Sequence, residues 1–375
     1  MRKKNFWIVA LANMLLTMTV TILIVALPRW LSLSIGQTPA ECGLTMGIFA
    51  IGLFCPGAFC SYLVQRYRRN IVFVVSALLL ALSVAAPAVL DTSLWTVAHW
   101  LPLRLVQGCC FGLAQMVLTS TLIIDICDSK YRTRANYWAT WFGRFALVLG
   151  PIVALLTTST HDISTTLLIA GGLSVASAIL VLTIHFPFRV PVVEPALFSS
   201  DRFFLISSLP LAILVFAVTA AFGMIMASPL SLNFYGLFAV GFVLALLSQR
   251  FVFPDTDNRS ELVAGLLLMA APQIILASGL TSPLTAPLLG LGLGIVGSRL
   301  LICFIKLSSH CQRGTLLSSF MLSWESGLAT GVAVALAFSW THTADAALPA
   351  LSLLAAVLII YVAKVHRWYV VHKNR

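Results

Sequence analysis

The sequence predicts an all-α polytopic membrane protein with twelve transmembrane helices, and three observations carry this prediction. Of the 375 residues, 60% are hydrophobic, only 9% are charged, and the mean hydropathy is +1.00. A soluble domain of this length carries far more charge. A hydrocarbon core of about 30 Å needs roughly 20 helical residues per span, so twelve spans and their short loops fit within the chain. The apolar runs do not alternate at period two, which excludes an outer-membrane barrel.

The apolar runs place the spans in order along the chain. In the first half we expect spans near residues 6–28, 43–64, 71–90, 99–124, 134–156 and 166–187. In the second half we expect them near residues 204–226, 231–252, 261–279, 284–306, 315–339 and 347–366. Between the halves, residues 185–202 contain three prolines and charges of both signs, which is typical of a linker. We therefore predict one six-helix bundle over residues 1–187, a cytoplasmic linker over 188–202, and a second six-helix bundle over 203–375.

The basic residues indicate the orientation. Nearly all of the 23 lysine and arginine residues lie at the termini or in the even-numbered loops, and Arg29 alone lies in a loop on the other side. Basic residues concentrate on the cytoplasmic side of membrane proteins, so both termini are predicted to be cytoplasmic. The net charge of +11 therefore reflects membrane topology and does not indicate nucleic-acid binding. The short loops fit a multi-pass protein of the bacterial inner membrane.

The sequence contains no catalytic or metal-binding motif. Its eight cysteines are scattered, most of them within spans, without the spacing of metal ligands or of a disulfide framework. The chain also lacks the H-E-x-x-H and G-x-S-x-G motifs and a G-x-x-x-x-G-K-[ST] nucleotide loop. We therefore predict no metal, no other cofactor and no enzyme activity.

Two neighbouring spans each carry an arginine. In the fourth span, Arg104 shares a helical face with Gln107 and Gln115. In the fifth span, Arg144 shares a face with Trp141. A cation within an apolar run costs a few kcal/mol or more, so it usually faces a polar pathway or a partner. These two spans are therefore candidates for the lining of a transport pathway.

Further candidates for a cavity lining come from the first and eleventh spans. Asn13 and Thr17 lie on a polar stripe of the first span, and Trp324 lies in the middle of the eleventh. The polar stripe is equally consistent with a cavity lining and with hydrogen bonds between helices.

Four motifs together resemble the major facilitator superfamily. They are Asn13 with Ala26-Leu27-Pro28, Arg104-x-x-Gln107-Gly108, Asp125…Arg134-x-x-Tyr137, and Gly150-Pro151. The resemblance covers the first half of the chain by motif and the second half mainly by topology. It implies two six-helix bundles that rock around a central site. We expect a monomer that carries a small-molecule substrate and protons across the lipid bilayer.

The resemblance gives roles to two of these motifs. Arg104 matches the family's arginine in the fourth span, which implies a role in proton coupling or cavity electrostatics. The alternative is a structural cation that Gln107 and helix carbonyls satisfy. Gly150-Pro151 matches only the core of the family's antiporter-type motif in the fifth span. A Gly-Pro pair removes one backbone hydrogen bond and bends a helix, so it acts either as a hinge or as a packing kink.

The loop after the second span departs from the family pattern. The family has an Asp-Arg-x-Gly-Arg-Arg type of sequence there, whereas this chain has Gln65 in place of the aspartate and Arg68 in place of the glycine. The carboxylate of the family's cytoplasmic charge cluster is therefore missing. Two readings remain for Arg66, Arg68 and Arg69. They anchor the loop to anionic lipid, or they pair with carboxylates such as Asp125 and Asp128.

Glu325 is the only carboxylate near the middle of any predicted span. It lies about 11 residues into the eleventh span, which is roughly 16 Å deep, and Arg144 lies at nearly the same depth in the fifth. Two interpretations follow. Glu325 is an acid that binds a proton or the substrate, or it is one half of a static ion pair with Arg144 or Arg299.

These features predict a secondary transporter that exports a small solute by proton-coupled alternating access. The alternative keeps the carrier and reverses its direction, as a proton-coupled uptake symporter of a sugar or another nutrient. An intramembrane enzyme is a third reading, which the absent catalytic motifs disfavour.

Overall fold

The structure is a computed structural model, and it describes residues 3–128, 131–186, 195–251, 257–280, 282–309, 312–340 and 342–373. This part of the chain contains helices and loops and no β-strand. Eleven of its helices are long and apolar enough to cross a membrane, and a bent helix pair raises the number to as many as twelve. The predicted all-α polytopic fold class is confirmed.

Each predicted span coincides with one observed helix, to within a few residues at the ends. The first half contains α1 (Lys3–Leu33), α2 (Pro39–Phe54 and Gly57–Arg66), α3 (Arg69–Val89), α4 (Val97–Asp125), α5 (Arg132–Thr160) and α6 (Ile163–Leu182). The second half contains α7 (Leu209–Met226), α8 (Leu232–Phe251), α9 (Asn258–Ala277), α10 (Thr285–Leu307), α11 (Arg313–Ala337) and α12 (Thr343–His372).

The predicted linker is described only in its later part, since residues 187–194 lie outside the described residues. Residues 195–205 are not helical, and α7 begins at Leu209, five residues later than the seventh predicted span.

Two helices depart from regular α geometry. The two parts of α2 meet at 47°, because Pro56 has no backbone N–H to continue the helical hydrogen bonds. In α4, residues Leu118–Leu122 form a π-helical turn. The hydroxyls of Thr119 and Ser120 there donate to carbonyls four residues earlier, at 2.8 and 2.6 Å. This wider turn is part of the surface through which α4 contacts α11.

The helices pack as two six-helix bundles. In the first bundle α1 packs on α5 and α6, α3 on α6, and α2 on α4. In the second, α7 packs on α11, α10 on α8 and α9, and α12 on α7 and α9. Small residues allow the closest approaches, as between α2 and α4, where a Cβ on Gly108 would lie 2.4 Å from the Phe49 carbonyl oxygen.

The bundles contact each other mainly through α2 and α11, and also through α5 and α8. We call the end of the molecule at which α1 begins the terminal end. At this end Gly314 of α11 packs against the Ser120 backbone, and at the other end Gly43 of α2 packs against Ala333 and Ala337. The two bundles therefore touch near both ends, and the conformation is closed.

Candidate functional site

A hydrogen-bonded network joins α1, α4 and α5 in the first bundle. The Gln115 side-chain amide donates to Asn13 Oδ1 at 3.1 Å and to Thr17 Oγ1 at 3.0 Å. Asn13 Nδ2 in turn donates to the Ala139 carbonyl at 2.9 Å. All three side chains are buried. In this conformation they therefore bind each other, as interhelical hydrogen bonds do.

Arg104 of α4 is buried and hydrogen-bonded to its own helix. Its Nη1 donates to Gln107 Oε1 at 2.7 Å, and Gln107 Nε2 donates to the Ser83 carbonyl of α3 at 2.9 Å. The guanidinium carbon lies 4.9 Å from the centre of the Phe49 ring, which is the distance of a cation–π contact. Arg104 Nε has no hydrogen-bond partner. The side chain is therefore only partly satisfied by Gln107.

Glu325 and Arg104 line the same small cavity between the bundles. Its other lining residues are apolar and come from α1, α2 and α11: Val20, Ile24, Met46, Phe49, Leu328, Ala329 and Val332. A water-sized molecule can occupy only about 10 Å³ there, which is room for about one water. In the described part of the chain, no cationic nitrogen forms an ion pair with Glu325. The carboxyl group thus faces an enclosed space that it shares with the arginine of the opposite bundle.

Arg144 of α5 lies between two tryptophans at the interface of the bundles. Its guanidinium carbon is 5.0 Å from the Trp141 ring centre and 5.2 Å from that of Trp324 in α11. Its Nη1 donates to Ser298 Oγ of α10 at 2.7 Å. Its Nε and Nη2 have no hydrogen-bond partner in the part of the chain that the structure describes, although only 2% of the residue is exposed. A buried cation with two unpartnered donors is the least satisfied polar group of this region.

The static ion pair of Glu325 with Arg144, one of the two interpretations of this carboxylate, is not formed, and neither is its pair with Arg299. Arg299 instead forms an ion pair with Glu261, a buried carboxylate in the first turn of α9. Trp324 and Glu325 are consecutive and point about 100° apart around α11, so Trp324 meets Arg144 while Glu325 meets the cavity of Arg104. The equal depth of Glu325 and Arg144 describes their positions along their helices. It does not describe the direction in which each side chain points around its helix.

At the terminal end, Arg69 at the start of α3 forms an ion pair with Asp125 at the end of α4. This is one of the two partners that the sequence left open for the basic loop. Arg66, Arg68 and Arg134 are exposed there. Gln65 is half-buried and donates to Ser61 Oγ at 2.8 Å.

A carboxylate that the sequence analysis missed, Asp201, lies next to this loop. Its Oδ1 accepts a hydrogen bond from Thr315 of α11 at 2.9 Å, and its Oδ2 accepts a long one from Ser61 of α2 at 3.5 Å. The backbone N–H of Arg202 donates to the same Thr315 hydroxyl at 2.8 Å. Burial, together with the nearby charge of Arg69, lowers the pKa of the Arg202 guanidinium. Asp201 thus links both bundles through the segment before α7.

Gly150 and Pro151 lie inside α5, which continues through both residues to Thr160. Gly150 is a point of close packing on α1, since a Cβ there would lie 2.0 Å from Thr21 Oγ1. The packing role is visible in this conformation, and the hinge role stays a prediction.

A lateral groove of about 510 Å³ lies between α2, α7 and α11. Its lining is almost entirely apolar, with three hydroxyls of α11 at its floor: Ser323, Ser326 and Thr330. Ile51 and Ile213 at its rim are more than half exposed, so the groove opens on the outer surface of the helices.

Comparisons with known proteins agree with this architecture. The human organic anion transporter MFSD10 (TETRAN) superposes with a TM-score of 0.69 and 16% identity, over 96% of this chain and 99% of that one. The xylose transporter XylE from E. coli superposes with a TM-score of 0.69 and 13% identity, over 96% and 97%. The nucleoside transporter NupG gives a TM-score of 0.64 at 14% identity, over 96% and 99%. At such identities these likenesses show the fold alone.

A search of curated proteins finds no match to this sequence. The family model of the Major Facilitator Superfamily, in contrast, matches residues 9–331. This match extends over most of the chain and includes helices of both bundles. The chain therefore belongs to the major facilitator superfamily, whose members transport small molecules.

Proposed function

We propose that this protein is a secondary active transporter that exports a small solute in exchange for protons, by alternating access. One observation carries the coupling: a buried carboxyl group, Glu325, shares a small cavity with Arg104 and has no ion-pair partner among the described residues. The rocking units are the bundles predicted over residues 1–187 and 203–375. They work as a monomer in a bacterial inner membrane, with both termini in the cytoplasm.

The geometry supports a proton-binding role for Glu325. Glu325 belongs to the second bundle and Arg104 to the first, so rocking changes the distance between them. When the two groups are close, the guanidinium stabilises the ionised carboxylate. When they part, a charged carboxylate among apolar side chains is unfavourable, and uptake of one proton removes the charge. Proton binding is thereby linked to the conformation, which is the requirement for coupling.

The alternative, uptake of a sugar, needs several free polar groups in the cavity. The predicted polar candidates are Asn13, Gln107 and Gln115, with Trp141 and Trp324 as the aromatic ones. Here Gln115 is hydrogen-bonded to Asn13, and Gln107 is hydrogen-bonded to Arg104 and to the Ser83 carbonyl. The named cargoes of the structural neighbours include organic anions, xylose and nucleosides, so the fold by itself does not favour a sugar. We retain export as the proposal, and the direction of gradient-driven flux decides between the two.

The test is gradient-driven flux in proteoliposomes. A thermal-shift screen with drugs, sugars and organic acids first selects a compound that the protein binds. With one proton per solute, a gradient of one pH unit sustains about tenfold accumulation. We expect Glu325→Gln to abolish this accumulation while it retains exchange of labelled for unlabelled compound without a gradient.

The matched control is Asp345→Asn, because Asp345 is an exposed carboxylate at the start of α12. Its accumulation should equal that of the wild type. Undiminished accumulation by Glu325→Gln would show that another group couples the proton. Accumulation only when the proton gradient and the solute movement point the same way would show a symporter.

A further inference from the structure

We propose that Arg144 binds the anionic group of the transported solute, so that the substrates are organic anions: carboxylates, sulfonates or phosphate esters. This inference rests on the proposed transport function and names its substrate class. Three observations carry it: the unpartnered edge of the guanidinium group, the balance of buried charge, and the position between the bundles. The close contact of Gly297 provides a further test.

The two unpartnered donors of Arg144 are the pair that binds an oxyanion best. Nη1 is occupied by Ser298, whereas Nε and Nη2 have no partner. Nε and Nη2 lie on the same edge of the planar guanidinium group and point in parallel. Two oxygens of one carboxylate, sulfonate or phosphate match this spacing and accept both hydrogen bonds. The protein thus binds the third nitrogen, Nη1, and leaves the edge formed by Nε and Nη2 without a partner among the described residues.

The balance of buried charge also calls for an anion. In the described part of the chain, the fully buried charged side chains are Arg104, Arg144, Glu261 and Glu325. Glu261 is neutralised by Arg299. Two arginines then remain against one carboxyl group, so the centre carries at least one uncompensated positive charge. Because a buried unpaired charge is costly, a bound monoanion supplies the missing compensation.

The position of Arg144 suits a substrate site. Arg144 and Trp141 belong to the first bundle, whereas Ser298 and Trp324 belong to the second. Any movement that separates the bundles therefore exposes the guanidinium group and the faces of both indole rings. An apolar or aromatic body attached to the anion finds its contact surface on these rings. The cavity of Arg104 is the poorer anion site, because it also contains Glu325.

Gly297 of α10 packs directly against the guanidinium group of Arg144 and the ring of Trp324. A Cβ at this position would lie 3.0 Å from Arg144 Nη2 and 2.8 Å from the Trp324 ring. A methyl group there would press on both side chains and force one of them to shift. We therefore expect Gly297→Ala to disturb the proposed site without removing any charge.

The experiment measures binding to the purified full-length protein in detergent. The anionic probes are benzoate, benzenesulfonate and phenyl phosphate, the neutral probe is benzamide, and the cationic probe is benzylamine. Saturable thermal stabilisation and quenching of tryptophan fluorescence report binding. We expect at least one anionic probe to bind and the neutral and cationic probes to bind at least tenfold more weakly.

The variants locate the site. Arg144→Lys keeps the charge but loses the bidentate edge, so the dissociation constant of the anionic probe should rise about tenfold or more. Arg144→Gln and Gly297→Ala should abolish detectable binding, and the exposed control Arg259→Gln should stay within twofold of the wild type. Size-exclusion chromatography checks that each variant is folded, and Arg144→Lys keeps the test decisive if Arg144→Gln fails to fold.

Two outcomes overturn the proposal: no anionic probe binds better than benzamide and benzylamine, or Arg144→Lys retains wild-type affinity for the anion. Its failure is distinct from failure of the proposed function. A neutral or cationic compound that accumulates in a manner dependent on Glu325 would refute the anion site and retain the proton-coupled transporter. Anion binding that requires Arg144, with accumulation indifferent to Glu325→Gln, would retain the site and refute the coupling.

Discussion

In this protein, the direction in which a buried side chain points around its helix decides which partner it meets. Arg104 and Arg144 lie on the predicted faces of α4 and α5, yet each meets a different part of the second bundle. The depth of Glu325 suggested Arg144 as its partner, whereas the tertiary structure puts Trp324 against Arg144. Charges on separate helices pair only when both depth and azimuth agree. The depth of a side chain can be derived directly from a single sequence. Its direction around the helix depends on how all the neighbouring helices pack.

The effect of substituting a glycine likewise depends on the neighbouring helix that the glycine contacts. A methyl group on Gly108 would press against the Phe49 backbone of α2, and backbone cannot move aside cheaply. We expect Gly108→Ala to destabilise the protein by about 1–3 kcal/mol. Gly172→Ala in α6 is the matched control, because its Cβ would meet no atom within 4 Å. Because alanine has a greater helix propensity than glycine, Gly172→Ala should leave the free energy of unfolding unchanged or raise it by about 0.5–1 kcal/mol.

Thermal unfolding of the purified protein, followed by circular dichroism, measures both changes. Equal unfolding temperatures for the two variants would mean that α2 and α4 are less closely packed than described.

At the scale of elements, the segment before α7 is the feature that the sequence described least well. Residues 199–205 were assigned partly to a linker and partly to the seventh span. They instead run across the terminal end without helical structure and bond to both bundles. Ser199 donates from its backbone to the Ala58 carbonyl of α2, and the Leu205 N–H donates to Ser319 Oγ of α11. The hydrophobic sequence predicts a transmembrane span here, but these hydrogen bonds hold the segment in a non-helical conformation.

Asp201 is the central acceptor of this segment, which we call the bridging segment (residues 199–205). Asp201→Asn should weaken the hydrogen bond from Thr315 and loosen the closed terminal end. Hydrogen bonds to charged groups contribute about 1.5–3 kcal/mol, so the open population should rise about tenfold or more.

The buried thiol of Cys60 in α2 reports this opening. Cys60 is fully buried in the closed conformation, so a maleimide reaches it only after opening. In a background whose other cysteines are replaced by serine, Asp201→Asn should speed labelling by the same factor, and Asp345→Asn should not. Equal labelling rates in all three proteins would contradict a role for the bridging segment in keeping the bundles together.

At the scale of the whole molecule, the arrangement of helices follows from the family fold, and the orientation in the membrane follows from charge. With the bent α2 as one span, the twelve spans place the start of α1 and the end of α12 on the same side. The asymmetry of basic residues predicts that this side is cytoplasmic. The positions of the loops relative to the membrane are therefore testable without knowledge of the substrate.

Reporter fusions in bacterial cells test the orientation. Alkaline phosphatase fused after Leu94, an exposed residue between α3 and α4, should be active because this loop is predicted to be periplasmic. The same enzyme fused after Asp128, following α4, should be inactive, whereas green fluorescent protein at either site gives the opposite result. Active phosphatase after Asp128 would reverse the predicted topology.

The sequence by itself determined the fold class, the approximate positions of the spans, and the family. The fold class and the spans follow from hydrophobicity, because a bilayer requires each helix separately to be apolar and long enough to cross it. The family follows from motifs along the chain. The sequence also identified the residues of the two central sites, since a buried polar group in an apolar run is visible in one dimension. Only the tertiary structure decided their partners: Arg104 with Glu325 in one cavity, Arg144 with Ser298 and two tryptophans, and Arg299 with Glu261. Partners depend on how each helix is rotated against its neighbours, and that rotation results from the packing of the whole molecule.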